Sequence, residues 1–274
     1  MGLPGPDRAF NDGASFDLDR GVWTSMSPST LPATAVTPVS VPTAQGLVVF
    51  RGSEGALWMP DSNTWRELPR SPGEAVEVLE TSKGQLAMLY RERSGELRLA
   101  VLNANNAQWI SLKSRLSGLT NAKFLAVEGK LLAVPTMPGE QGWIYDVATK
   151  SFEALANLPF RPTSIDAVIS GTQVWVTGSA HPNAPIQITS LTNQWTWEAP
   201  TEISANAIDL IRIVDVDDSP IVVDGQRLWR QTALGWRTTA IDEPLGRLVS
   251  ASGSVYGLRI AASGDFEIVQ FRIR

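Results

Sequence analysis

The residues able to do chemistry are few. The chain of 274 residues holds one histidine, His181, and no cysteine. Thiolate nucleophiles, thiolate metal sites and disulfides are therefore excluded. A lone histidine does not build a zinc or copper centre of the usual kind, because those ions draw on several N, S or O ligands. A Ser–His–Asp triad would have to use His181, and no nucleophile elbow accompanies it. His181 lies in the polar stretch GSAHPNAP and reads as an exposed loop residue. No glycine pattern of the P-loop or dinucleotide type occurs. The acidic run DVDDS at Asp215–Ser219 lacks the rest of a calcium loop and reads as a solvated turn. Neither a metal nor a cofactor is expected.

What remains is charge. Glu77, Asp166 and Asp209 recur at similar places in the sequence pattern, with Lys123 and Arg247 near the same level. Arg161 and Arg212 stand close by in the chain. Two carboxylates flanking a glycosidic bond can do acid–base work on a sugar. Arginine can hold a carboxylate through two parallel hydrogen bonds. The plainer alternative is a set of charges that pair with one another or hold ordered water.

The elements that would position these charges come from a repeat. Aromatic residues stand at Trp23, Trp65, Trp109, Phe152, Trp195 and Trp236, at intervals of 41 to 44 residues. Ahead of each is a turn, as in WIYDVATKSF, where Asp146 precedes Phe152 by six. Asp17 holds the same place before Trp23, and Asn103, Thr189 and Arg230 align with it in other copies. After each mark come a polar, Pro-rich connection and two β-rich runs such as SIDAVIS and TQVWVTG. Glycines or Asp217-Asp218 separate the two runs, and these residues tolerate the positive φ of tight hairpins. A third run leads into the next turn. Four short strands per repeat, with no 3.6-residue apolar period, describe the blade of a propeller.

The expected fold is all-β: a six-bladed β-propeller of four-stranded antiparallel blades forming one domain over 1–274, with residues 1–13 a loose N-terminal segment. The last set of strands, RLVSASG, SVYGLRI and FEIVQFRIR, lacks a fourth member. GVWTSM near the start reads as a fourth strand without its first two, so the N-terminal strand is expected to complete the C-terminal blade and close the ring. GASFDL competes with FEIVQFRIR for the third place in that blade. In the repeat, the aromatic marks should fill the wedge between neighbouring sheets, and the Asp, Asn or Thr oxygen should hold the turn.

Composition limits the partners. Net charge is −5 with no basic run, which argues against nucleic acid or an anionic membrane surface. No apolar stretch is long enough for a membrane span. No leader is visible, so the chain is expected to be cytoplasmic, or exported with its leader absent from this sequence. A monomer is expected.

The repeats, above all YDVATKSF and ITSLTNQW, resemble the kelch-type β-propellers, including the propeller domain of the galactose oxidase superfamily. LPFRP around Arg161 is similar to the Pro/Arg segment ahead of the first kelch strand. Single glycines, Gly52, Gly178 and Gly225, stand where the family has a glycine pair. The copper radical chemistry of that superfamily needs a Cys–Tyr thioether and two histidines, so it is excluded here. The resemblance implies a fold that hosts binding modules, scaffolds and some enzymes.

Three functional readings follow. The first is a non-enzymatic binding module that takes a protein or glycan partner on a loop-rich face. That face would carry Ser27–Pro42, Pro135–Gly142 and Gly178–Pro185. The alternative is a carbohydrate-active enzyme, a mutarotase, lyase or hydrolase, acting on an acidic sugar at the mouth of the central channel. The ligand-binding candidates are Arg161, Asp166, Asp209, Arg212 and His181. A trimmed or designed scaffold without a ligand is the third.

Overall fold

The computed structural model describes residues 13–32, 36–81, 83–103, 107–112, 116, 119–181, 183–204, 211–224, 227–241, 248–251, 254–260 and 266–272. Among them every regular element is a strand, and no helix is long and apolar enough to cross a membrane. The fold is an all-β, six-bladed propeller whose blade is a four-stranded antiparallel meander. The chain divides into two compact units, Met1–Ser117 and Gly118–Arg274.

The first unit opens with a hairpin of β1 (Ala14–Asp17) and β2 (Val22–Ser25), a two-stranded sheet of its own. Its two full blades follow. One is β3 (Val39–Thr43), β4 (Gly46–Arg51), β5 (Glu54–Met59) and β6 (Thr64–Leu68). The other is β7 (Glu74–Glu80), β8 (Leu86–Arg91), β9 (Leu97–Asn103) and β10 (Gln108–Ser111).

The second unit holds three full blades. They are β11 (Ala122–Val127), β12 (Lys130–Pro135), β13 (Trp143–Asp146) and β14 (Ser151–Ala154); β15 (Ser164–Ser170), β16 (Gln173–Ser179), β17 (Ile186–Leu191) and β18 (Thr201–Ser204); and β19 (Arg212–Val216), β20 (Ser219–Val223), β21 (Arg227–Thr232) and β22 (Gly235–Ala240). The last sheet has three strands among the described residues, β23 (Leu248–Ala251), β24 (Ser254–Ile260) and β25 (Phe266–Arg272). The competition for its third place is decided in favour of β25. The rival GASFDL segment pairs instead with its neighbour in sequence, Phe16 opposite Trp23, across the turn closed by the Gly21 N–H to the Asp17 carbonyl. The ladders of the described residues thus give β2 to β1, and the expected completion of the last sheet by an N-terminal strand is not among them.

Sequence explains the turns. Val216 pairs with Ser219, and Asp217 and Asp218 between them have φ of 49° and 58°. Positive φ at both central residues is the primed hairpin turn, so the acidic run is the turn it was read as. Gly46, at φ 143°, opens β4; a Cβ there would lie 1.9 Å from the Trp58 carbonyl oxygen, and only glycine fits.

The core lies between successive sheets. In the second unit Leu132, Val134 and Ile144 pack against Ile165, Val174 and Val176 of the next blade. Ile186 and Ile188 pack against Ile213 and Val222, and Val223 and Leu228 against Val255. In the first unit Val48, Phe50 and Leu57 meet Val78, Met88 and Tyr90. Each such buried aliphatic side chain is worth roughly 1.5–3 kcal/mol of apolar transfer. A single sheet leaves one of these faces wet, which is why the repeats stack.

Two of the aromatic marks, and one tryptophan beside a mark, have a second task. The Trp65 indole N–H donates to the Ser27 carbonyl at 2.8 Å, that of Trp109 to Pro69 at 2.9 Å, and that of Trp197 to Ala156 at 2.7 Å. Each ring therefore pins the connection that enters its own blade. In the fourth repeat the pinning residue is Trp197, two positions past the Trp195 mark. Trp195 lies inside the turn, at φ 60°. The turn oxygen shifts as well. Asp17 and Asp146 accept the expected backbone N–H groups, from Asp19 and Arg20 and from Ala148 and Thr149. Thr189 does not; it is buried, and its hydroxyl donates to the Glu198 carbonyl. Thr192 holds that turn, and Thr232, rather than Arg230, holds the next. Trp195 and Trp197 both pack against the core between the third and fourth repeats.

Candidate functional site

The loop between β12 and β13 and the connection between β14 and β15 enclose a cavity of about 410 Å³ in the second unit. Pro135, Pro138 and Pro162 stiffen its walls. Gly139 takes φ 82° at the tip of the loop. The base is sewn by the Gln141 side-chain amide, which donates to the carbonyls of Gly142 and Leu155. Buried Phe160 belongs to the core between the third and fourth repeats, so the next residue, Arg161, is thrown outward. Pro162 keeps Arg161 extended. Met137, half exposed, and Leu158 supply apolar wall.

Glu140 and Arg161 both line this cavity. One carboxylate oxygen, Oε1, accepts the Thr120 N–H at 3.1 Å and the Thr120 hydroxyl. The other, Oε2, is buried and has no hydrogen-bond partner among the described residues. A buried acceptor left unmatched is costly, and it is the kind of atom a ligand donor satisfies. Sequence reading found Arg161 and the Pro135–Gly142 loop but passed over Glu140. Its signal was its place three residues before the next strand, within a loop already singled out.

The other candidates are elsewhere. Asp166, in the inner strand β15, is buried and fully engaged. Its Oδ1 is 2.9 Å from Lys123 Nζ of β11, and its Oδ2 accepts the Ile213 N–H of β19 at 3.1 Å. It ties three successive inner strands together. Arg212 opens β19 and is half-buried, with its guanidinium 3.3 Å from the Ile211 carbonyl. His181 is exposed, and its backbone carbonyl caps the loop by accepting the Ser179 hydroxyl and the Ala184 N–H. None of these three lines the cavity that Arg161 lines. Asp209 and Arg247 lie outside the described residues. Glu77 sits in β7 of the first unit, where the register with β8 shifts. Among the described residues no cluster of three His, Cys, Asp or Glu side chains could hold a metal ion.

A further charged cluster lies at the Asp146 turn. Lys130 Nζ is 2.8 Å from Asp146 Oδ2 and 5.3 Å from the centre of the Trp195 ring. The Lys130 hydrogen bond, followed by the N–H of Thr149, holds the Asp146 carboxyl well below the usual carboxylate range. Burial, aided by the Asp146 charge, pushes the Tyr145 phenol upward.

No family model matches the chain, and no curated protein matches it. Solved structures do. A hydrazine synthase of Kuenenia stuttgartiensis aligns with a TM-score of 0.67 at 8% identity, over 95% of this chain and 90% of that one. Virginiamycin B lyase from Staphylococcus aureus aligns with a TM-score of 0.58 at 15% identity, over 86% and 85%. At such identities the likeness establishes the propeller fold alone. That fold is compatible with a binding module, and enzymes are among its structural neighbours.

Proposed function

We propose that the protein is a binding module of kelch-like type, and that the cavity between the Pro135–Gly142 loop and the Asn157–Pro162 connection takes a peptide segment of a protein partner. The supporting observation is the pairing in one lining of an exposed guanidinium, Arg161, with a carboxylate oxygen, Glu140 Oε2, that is buried and unmatched. A peptide offers both complements, N–H donors for Glu140 and a carboxylate or carbonyl for Arg161. Met137, Leu158 and the prolines suit an apolar side chain between them. Glycan sites favour an exposed aromatic platform, and the aromatic in this lining, Phe160, is 9% exposed. Acidic-sugar chemistry at Arg161 and Asp166 finds no support in the geometry, because Asp166 is spent on Lys123 and Ile213.

A displayed library of random octapeptides, panned on the full chain, tests the reading. Peptides with an apolar residue next to an acidic one should be enriched. Their affinity should fall at least about tenfold with Arg161→Ala, the loss of one charge-assisted contact. Enrichment indifferent to both Arg161→Ala and Glu140→Gln would sink the proposal, as would no enrichment together with a thermal shift by glucuronate.

A further inference from the structure

The first unit has a cavity of its own, about 460 Å³, in the wedge between the sheets β3–β6 and β7–β10. That volume is in the range of small-molecule sites. One wall is a cross-strand row: Val48 pairs with Leu57, and Leu57 with Arg66. Leu68, two residues beyond Arg66, stands on the same pleat. Leu86 and Leu102 of the next blade face this row across the cavity. The neighbouring blades therefore leave unfilled a space with four leucines in its walls.

The charged groups on the rim are not equivalent. Glu80 Oε2 accepts the Ala44 N–H at 3.1 Å. Glu67 borders the cavity from the pleat opposite to Arg66. Arg66 is exposed, and among the described residues it makes no ion pair. Its one hydrogen bond, 3.2 Å to Gln45 Oε1, goes to a neutral amide. A guanidinium held in place by an amide, with no further hydrogen bond among the described residues and aliphatic walls beside it, is suited to a carboxylate joined to an apolar body.

We propose that this wedge binds an organic monocarboxylate with an aliphatic chain. The carboxylate lies on Arg66 and the chain runs between Leu57 and Leu68 on one side and Leu86 and Leu102 on the other. The Gln45 amide holds the guanidinium in place, and Glu80 disfavours a second negative charge. The site is independent of the loop cavity and of its proposed peptide.

Calorimetric titration of the full chain with sodium octanoate tests it, with octylammonium chloride and sodium acetate as the matched probes. Octanoate should bind at least about tenfold more tightly than either, since one probe lacks the charge partner and the other the chain. Arg66→Gln, at an exposed position, should keep the melting temperature and weaken octanoate at least about tenfold. Methyl resonances of Leu57, Leu68, Leu86 and Leu102 should shift on addition of octanoate. Equal binding of octylammonium, unchanged affinity in Arg66→Gln, silent leucine methyls, or no heat from octanoate would each overturn the assignment.

Discussion

Two regions of the second unit each hold a carboxylate withdrawn from solvent, and they differ in what is left over. At the inner strands, Asp166 gives one oxygen to Lys123 and the other to the Ile213 N–H. At the loop cavity, Glu140 spends one oxygen on Thr120 and keeps the other buried and bare. The first arrangement is closed, and its chemistry is the joining of β11, β15 and β19. The second is open, and something outside the described contacts must complete it. A carboxylate in an all-β core is thus a poor guide to function until each of its oxygens has been accounted for.

The comparison can be broken at its strongest point first. Asp166→Ala strips the partner from Lys123 and from a buried backbone N–H, and should destabilise the protein by about 2–3 kcal/mol, the half-solvated lysine moderating the loss. Urea unfolding measures this, and Asp166→Asn should recover part of it. A neutral Asp166→Ala would return Asp166 to the list of available acids. Trp197→Phe removes the hydrogen bond to Ala156 and should cost about 1 kcal/mol, with Trp195→Phe costing less. The reverse order would mean that the Trp197 bond to Ala156 is not what holds that connection.

Asp146 is a third case, saturated by Lys130, Ala148 and Thr149. Its carboxyl is depressed in the folded protein, so its contribution is present above the ordinary aspartate value of about 3.9 and is lost as pH falls further, towards the folded value. The melting temperature of the parent should exceed that of Asp146→Asn at neutral pH, and the gap should narrow below about pH 4. A gap that widens in acid would mean the sign is wrong. Smallest of all, Glu140→Gln should leave stability within about 0.5 kcal/mol, because an amide oxygen can still accept from Thr120. If Glu140→Gln unfolds the loop, Glu140 belongs with Asp166.

The repeat was legible because its spacing is set by the blade itself. Trp65 and Trp109 recur where the structure uses them, and Asp17 and Asp146 turn the chain as their type suggests. Trp195 packs against the core between the third and fourth repeats, as its spacing suggested, whereas the hydrogen bond to the preceding connection falls to Trp197, which spacing alone does not single out. The exposed, extended setting of Arg161 was legible from its proline neighbours. The engagement of Asp166 was not, because its partners come from strands 43 and 47 residues away in sequence, and their depth in the blade is set by register. Glu140 went unnoticed for the opposite reason: nothing in TMPGEQG separates a half-buried loop glutamate from a solvated one.

The tryptophan pins carry one more implication. Trp65, Trp109 and Trp197 reach back 38, 40 and 41 residues to the connection that enters their blade. During synthesis each connection therefore stays untied until the last strand of the following blade has emerged, and the chain locks in steps of one repeat. Coupling of this range is that of a row of dominoes with contacts between neighbours alone. Damage to one pin should loosen amide protons in its own blade and in the one before it, and leave more distant blades as slow to exchange as they were.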